Sequence, residues 1–166
     1  NYASASQLLA SGPSDGQEGL FLGWAKTLNA TPLWYTYIIA GDMKFKLGLS
    51  ATNSDCNQGG GKTICSEWGS YYSSHRADII SNYSSYADYA AKKYGSSTSM
   101  IWALEPDFYQ YASNQNGNSS PLSFSDAAKL ISDIIDAIKA KMPNAKIAMD
   151  ISAWAPDNWF TSMPLD

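Results

Sequence analysis

The chain has 166 residues, a length that fits one domain. Its formal net charge is −4 at pH 7 and it has no Lys/Arg cluster, which excludes the basic surface that nucleic-acid binding requires. Hydrophobic residues make up 45% of the chain, enough for a core, but no segment approaches the roughly 18 uninterrupted apolar residues of a membrane span. Charged residues make up only 16%, less than in a typical soluble domain, and this composition suits an extracellular protein that handles neutral substrates.

The first predicted elements are a helix and a strand. Apolar residues recur at helical spacing from about Gln17 to Leu28, between Gly16 and Pro32, which predicts a helix. The run Leu33–Ala40 is almost continuously apolar, aromatic or β-branched, and it predicts a parallel strand that is buried on both faces.

The polar, glycine-rich segment Met43–Glu67 is interpreted as a disulfide-clipped functional loop or a surface excursion. It contains the only two cysteines, Cys56 and Cys65; a disulfide between them is the natural interpretation, and reduced buried thiols are the alternative. Two cysteines and the distant His75 are too few for a metal site, so neither a metal nor a cofactor is expected. A disulfide favours a secreted, extracellular chain, and three N-x-S/T sequons support this weakly. The candidate N-glycan sites are Asn29, Asn82 and Asn118.

The rest of the chain repeats the helix and strand pattern. A long helix is predicted between Glu67 and Tyr94, and Ser99–Leu104 is predicted to be a buried strand. A second amphipathic helix is predicted after the N-cap candidate Ser123, followed by a short strand over Lys146–Met149. Strands separated by helices imply a parallel sheet, and the predicted fold is a TIM-like (β/α) barrel. Residues 1–166 are expected to form a single domain that covers the N-terminal half of that barrel.

An acidic residue follows every predicted strand, where parallel α/β folds bind their ligands. Carboxylates beside tryptophan and tyrosine are typical of sugar chemistry, because aromatic faces stack on pyranose rings and acids transfer the protons of glycosidic cleavage. Helix capping and turn formation are the alternative roles. These acids are Asp42, Glu105, Asp107 and Asp150.

Three segments resemble glycoside hydrolase family 6, the inverting cellulases. Ile101–Asp107 is similar to the strand-end motif of that family, which ends in Glu-Pro-Asp. Ser54-Asp55-Cys56 resembles its Arg-Asp-Cys motif, with serine in place of arginine and about a dozen extra residues before it. Pro143–Asp150, followed by Trp154 and Trp159, resembles a later strand with its terminal aspartate and tryptophan-bearing loop. The chain is interpreted as a distant relative of that family.

The resemblance implies roles for individual residues. Asp107 matches the general acid, and a nearby carboxylate, Asp55 or Asp42, would raise its pKa because two close negative charges resist joint ionisation. Tyr37 is expected either to support the reacting sugar or to pack in the core. Position after a predicted strand or directly after the acid, and not the resemblance, gives the other expected substrate contacts, which are Glu105, Tyr109, Gln110, Tyr111, Asp150, Trp154 and Trp159.

The predicted function is a secreted glycoside hydrolase, inverting, that cleaves a neutral β-linked polysaccharide such as cellulose or a related β-glucan. The expected partner is therefore a polysaccharide, and neither nucleic acid nor a membrane is expected. One alternative is a catalytically silent barrel that binds polysaccharide or builds an extracellular assembly. Another is a retaining glycosidase that uses Glu105 and a second acid as its pair.

Overall fold

The structure is a computed structural model that describes residues 13–49, 56, 62–113 and 121–149. Within these ranges the chain forms five α-helices, one π-helical segment and three β-strands. In chain order these are α1 (Gln17–Thr27), β1 (Leu33–Thr36), α2 (Ile38–Lys46), α3 (Ile64–Ala90), the π-helical segment (Ala91–Gly95), β2 (Ile101–Leu104), α4 (Phe108–Ala112), α5 (Phe124–Lys139) and β3 (Lys146–Met149).

The three strands form a parallel sheet with β2 in the centre. Leu33 of β1 is paired with Ile101 of β2, which is paired with Lys146 of β3. The prediction of a parallel sheet is confirmed, but the predicted (β/α) barrel is wrong for this structure. A barrel closes when its last strand pairs with its first, whereas in the described residues β1 and β3 each pair with β2 and not with one another.

One face of the sheet packs on helix α3. Trp34 packs against Trp102 with ring centroids 5.2 Å apart and ring planes tilted by 33°, and it meets Tyr86 of α3 edge-on at 5.6 Å. Side chains of a strand alternate between its two faces, and the neighbouring positions Leu33 and Tyr35 are 47% and 49% exposed. The predicted burial of the first strand on both faces is therefore wrong.

The two long predicted helices are confirmed, and local capping explains where they begin. Thr63 accepts a hydrogen bond from the backbone N–H of Ser66 at 3.1 Å, and the Ser66 hydroxyl accepts one in return from the N–H of Thr63, which forms a capping box at the start of α3. Ser123 caps α5 by accepting from the N–H of Asp126 at 3.0 Å. Gly95, with φ of +124°, ends the π-helical segment that extends α3.

The chain departs most from the sequence-based expectation after β1. The strand predicted over Leu33–Ala40 ends at Thr36, and α2 begins at Ile38 and continues to Lys46. The apolar run is typical of a strand, but the Glu105 carboxylate accepts a hydrogen bond from the N–H of Ile39 at 2.8 Å. This contact from another part of the chain satisfies a free donor of the first helical turn and so favours a helix.

The predicted disulfide between Cys56 and Cys65 is present, with the two Cα atoms 5.3 Å apart. A disulfide is compatible with an extracellular protein. Across the ranges that the structure describes, none of the helices combines the length and the hydropathy needed to cross a lipid bilayer.

Candidate functional site

A cleft of about 280 Å³ lies at the carboxyl ends of β1 and β2. Tyr37, which directly follows β1, and Asp107, which follows β2 after two residues, both line it. Ligands of parallel α/β folds bind at this edge of the sheet. The described lining consists of Tyr37, Ala40, Lys44, Cys56, Ile64, Asp107, Gln110 and Tyr111.

Asp107 is the N-cap residue of α4 and is half-buried at the cleft. Its backbone carbonyl accepts a hydrogen bond from the N–H of Gln110 at 2.9 Å, so the carboxyl group is carried on an ordered turn. The Gln110 side-chain amide donates to Asp107 Oδ1 at 3.4 Å. The cleft therefore combines a carboxyl group and an amide with the exposed ring of Tyr37, which are groups suited to hydrogen bonding and stacking against a sugar, whereas Tyr111 is 1% exposed and forms part of the wall.

The disulfide forms part of the same wall. Cys56 lines the cleft, and Cys65 Sγ lies 2.9 Å from the carbonyl oxygen of Gln110. A disulfide-bonded sulfur has no hydrogen to donate, so this is a close sulfur–oxygen contact. It joins the first turn of α3 to the helix that begins beside Asp107.

Glu105 lies behind the cleft and is 1% exposed. Its Oε1 accepts hydrogen bonds from the Tyr83 hydroxyl at 2.6 Å and from the N–H of Ile39 at 2.8 Å. Its Oε2 accepts from the Tyr111 hydroxyl at 2.6 Å. One carboxylate thus contacts three helices, because Ile39 belongs to α2, Tyr83 to α3 and Tyr111 to α4.

The electrostatics of this group follow from its burial. Loss of contact with water raises the pKa of the Glu105 carboxyl above its ordinary value near 4.5. Hydrogen bonds from Tyr111, Tyr83 and the amides of Ile39 and Ala40 act in the opposite direction. Burial and the neighbouring Glu105 carboxyl group also raise the pKa values of the Tyr83 and Tyr111 phenols well above their usual range, so both hydroxyls remain donors.

Asp42 is also buried, but it is not among the described residues that line the cleft. It accepts a short hydrogen bond from the Tyr71 hydroxyl and lies 3.1 Å from Lys46 Nζ. Lys46 also binds Asp78 at 2.8 Å. Burial lowers the pKa of Lys46, but its hydrogen bonds to Asp78 and Asp42 raise it overall. The Tyr71 ring stacks on His75 with centroids 4.5 Å apart.

The structure brings together only some of the predicted site residues. Tyr37, Asp107, Gln110 and Tyr111 share the cleft, whereas Asp42, Glu105 and Tyr109 are buried and are not part of its described lining. The remaining candidates lie outside the described residues; they are Asp55, Asp150, Trp154 and Trp159.

Sequence reasoning missed three lining residues: Ala40, Lys44 and Ile64. Ala40 and Lys44 are four positions apart, so they lie on one face of α2. That spacing identifies the pair only when the segment is recognised as a helix, and the apolar run suggested a strand. Ile64 is the first residue of α3, one position before the disulfide-bonded Cys65.

Two of the three sequons lie within the described residues. Asn29 is exposed in the turn after α1, with φ of +51°. Asn82 is half-buried within α3, and Asn118 lies outside the described residues. In the part of the chain that the structure describes, no group of three or more His, Cys, Asp or Glu is placed to hold a metal ion.

Comparisons of the chain with protein-family models, with curated proteins and with solved structures found no match. Function is therefore inferred from the residues of the cleft.

Proposed function

We propose that this protein is a secreted glycoside hydrolase that cleaves a neutral β-linked polysaccharide, with Asp107 as the general acid. The observation that carries the proposal is the position of the Asp107 carboxyl group in a cleft that it shares with Tyr37, Gln110 and Tyr111. The resemblance of Ile101–Asp107 to the strand-end motif of family 6 supports the same assignment. The cleft volume is near the lower end of the about 300–1,000 Å³ typical of ligand sites, which suits one sugar ring of a longer chain.

In the proposed reaction, Asp107 gives its proton to the glycosidic oxygen as the bond from that oxygen to the anomeric carbon breaks. A water molecule attacks the opposite face of the sugar and loses a proton to a second carboxylate, which gives inversion. Asp55, the predicted neighbour of the acid, lies outside the described residues, and the side chain of Asp42 is engaged by Tyr71 and Lys46. The second carboxylate is therefore left unassigned.

The structure gives less support to the alternative of a retaining glycosidase in which Glu105 is one of the two catalytic carboxyl groups. A nucleophile has to reach the anomeric carbon of the substrate. Glu105 is 1% exposed, and both of its carboxylate oxygens accept hydrogen bonds from the protein. The geometry thus favours a supporting role for this residue over covalent catalysis.

A catalytically silent polysaccharide-binding protein is the second candidate. One observation favours it: within the described lining, Asp107 is the single carboxyl group beside the aromatic and amide side chains. Glycosidases use two carboxyl groups, whereas a binding cleft requires none.

The test is reducing-sugar release from a panel of β-glucans, xylan and mannan by the wild type, Asp107→Asn and Asp88→Asn. Asp88 is a matched control because it lies in α3, outside the described lining of the cleft, and pairs with Lys92 of the π-helical segment at 2.6 Å. Asp107→Asn should abolish release and retain glycan binding, since the amide keeps the shape but has no acidic proton. Full release by Asp107→Asn would overturn the assignment, and binding without release by the wild type would favour the silent protein.

A further inference from the structure

We propose that Glu105 is a positioning residue of the cleft, which holds the Tyr111 hydroxyl and the first turn of α2 in place without contacting the glycan itself. The role concerns the same cleft and, for its effect on catalysis, rests on the proposed function. Its structural part is independent of that function, because it concerns the shape of the cleft wall.

The contacts of Glu105 lead directly to lining residues. Tyr111, which donates to Glu105 Oε2 at 2.6 Å, itself lines the cleft. Oε1 accepts from the N–H of Ile39 at 2.8 Å, in the first turn of α2, and Ala40 is the next residue of that turn. Ala40 lines the cleft, and Tyr37 is the residue that precedes α2. A single carboxylate therefore fixes two adjacent parts of the wall.

The backbone at Glu105 separates its side chain from that of Asp107. Glu105 has φ of +36°, in the left-handed region that residues other than glycine rarely adopt. Its N–H donates to the Thr36 carbonyl at 3.0 Å, and its own carbonyl accepts from the N–H of Phe108 at 2.8 Å. The carboxyl group of Glu105 is buried behind the wall, whereas that of Asp107, two residues later, lines the cleft. Such strained residues persist where the surroundings hold them, often at functional sites.

The partners of Glu105 define a receptor for a small carboxylate. They are two phenol hydroxyls and the backbone amide of Ile39, which belongs to the first turn of a nine-residue helix. Truncation of the side chain to alanine leaves these donors facing the space that the carboxylate occupied. Formate is the smallest carboxylate anion with the same two-oxygen geometry. It should bind in the space left by the Glu105 carboxylate and return Tyr111 and the first turn of α2 to their wild-type positions.

The experiment uses Glu105→Ala with ¹³C-labelled tyrosine, whose ring-carbon NMR signal for Tyr111 reports the hydrogen bond of its hydroxyl. Tyr111→Phe assigns that signal. We expect the signal to move in Glu105→Ala and to return toward its wild-type position when sodium formate is added, but not when sodium chloride is added. Glu18→Ala is the matched control, because Glu18 is also buried, at 7% exposure, but belongs to α1. It should show no formate-dependent change in the Tyr111 signal.

A second measurement addresses catalysis on the glycan that the wild type cleaves. A misplaced wall should lower kcat/KM of Glu105→Ala by about 100-fold, and formate should recover part of the loss without affecting the wild type. A Tyr111 signal that is unmoved in Glu105→Ala, or moved but insensitive to formate, would overturn the proposal.

Glu105→Gln covers the case in which Glu105→Ala does not fold. The glutamine keeps the shape but offers one acceptor oxygen, whereas Tyr83 and Tyr111 donate to different carboxylate oxygens. At least one of the two tyrosine signals should therefore shift, and two unchanged signals would contradict the proposal. The two proposals fail separately. A wild type that releases no sugar from any polymer refutes the hydrolase, whereas the Tyr111 signal tests Glu105 without any substrate.

Discussion

Two buried carboxylates, those of Glu105 and Asp42, are associated with different parts of helix α2 and have different surroundings. Glu105 meets the N-terminus of α2 and is 1% exposed, whereas Asp42 lies within α2 and is 3% exposed. Glu105 is held by phenols and backbone amides behind the cleft. Asp42 is held by the Tyr71 hydroxyl and the ammonium group of Lys46.

The comparison shows that two equally buried acids can differ in how much their removal should destabilise the fold. The Lys46 side chain is 29% exposed and also binds Asp78 at 2.8 Å, so the charge of Asp42 is balanced by a cation that reaches solvent. Glu105 depends on neutral dipoles, including those at a helix N-terminus, in the interior. Loss of the Glu105 carboxylate should therefore be more disruptive than loss of the Asp42 carboxylate.

The largest expected effect is the destabilisation of Glu105→Ala. Removal of the carboxylate takes an acceptor from the Tyr83 and Tyr111 hydroxyls and from the N–H of Ile39 in the interior, which should lower the free energy of unfolding by about 4 kcal/mol. Urea denaturation followed by circular dichroism measures this value. A loss no larger than that of Asp42→Ala would contradict the distinction between the two carboxylates.

Asp42→Ala should have an intermediate effect. The Tyr71 hydroxyl loses its acceptor in the interior, but Lys46 retains Asp78, so we expect a loss of about 2 kcal/mol in the same denaturation experiment. Asp42→Asn is the control because its carbonyl oxygen still accepts from Tyr71. If the asparagine variant is as unstable as the alanine variant, the negative charge and not the phenol contact stabilises this region.

A smaller effect is expected in the pH dependence of stability. Burial raises the pKa of Glu105 above its ordinary value near 4.5, so the folded protein holds this proton more tightly than the unfolded chain. The contribution is fully present below that ordinary value and is lost as the pH rises through the folded pKa. The Tm of the wild type minus that of Glu105→Gln should therefore fall as the pH rises above about 4.5. A difference that grows with pH would show that the hydrogen bonds outweigh burial.

The smallest expected effect is that of Asp78→Asn. Its hydrogen bond to Lys46 lowers the pKa of Asp78, so any stabilisation is present above the ordinary value of 3.8 and is lost as the pH falls. Because Asp78 is exposed, solvent screens the pair, and the Tm at neutral pH should not change measurably. A clear decrease would mean that Asp42 is balanced by the Lys46–Asp78 pair as a unit.

The sequence predicted the elements whose signals are local. Ser123 and Asp126 lie three residues apart and form the expected cap of α5, and the cysteine pair closes a short loop as expected. The buried run before Glu105 was also recognised as a strand. In the cleft, Asp107 was predicted because acids at the end of a parallel strand lie near the ligand, and Gln110 because it lies shortly after that acid.

The predictions that were wrong depended on contacts between distant parts of the chain. The run after Thr36 has the composition of a strand, yet it turns into α2, whose N-terminus contacts Glu105, a residue 66 positions away from Ile39. The alternation of strands and helices suggested half of a barrel, but hydrophobic periodicity within each strand does not specify how many strands pair or whether the sheet closes. The exposure of Leu33 and Tyr35 likewise depends on what covers the sheet.

Sequence patterns are sufficient to predict the parallel strands, the long helices, the disulfide pair and the placement of acids after strands, because each follows from spacing, capping or composition within a short segment. Which acid meets the cleft and which is buried behind it depends on contacts between distant parts of the chain. Glu105 and Asp107 are two residues apart and follow the same strand. The positive φ of Glu105 and its partners on three helices place one side chain in the interior, while the other lines the cleft.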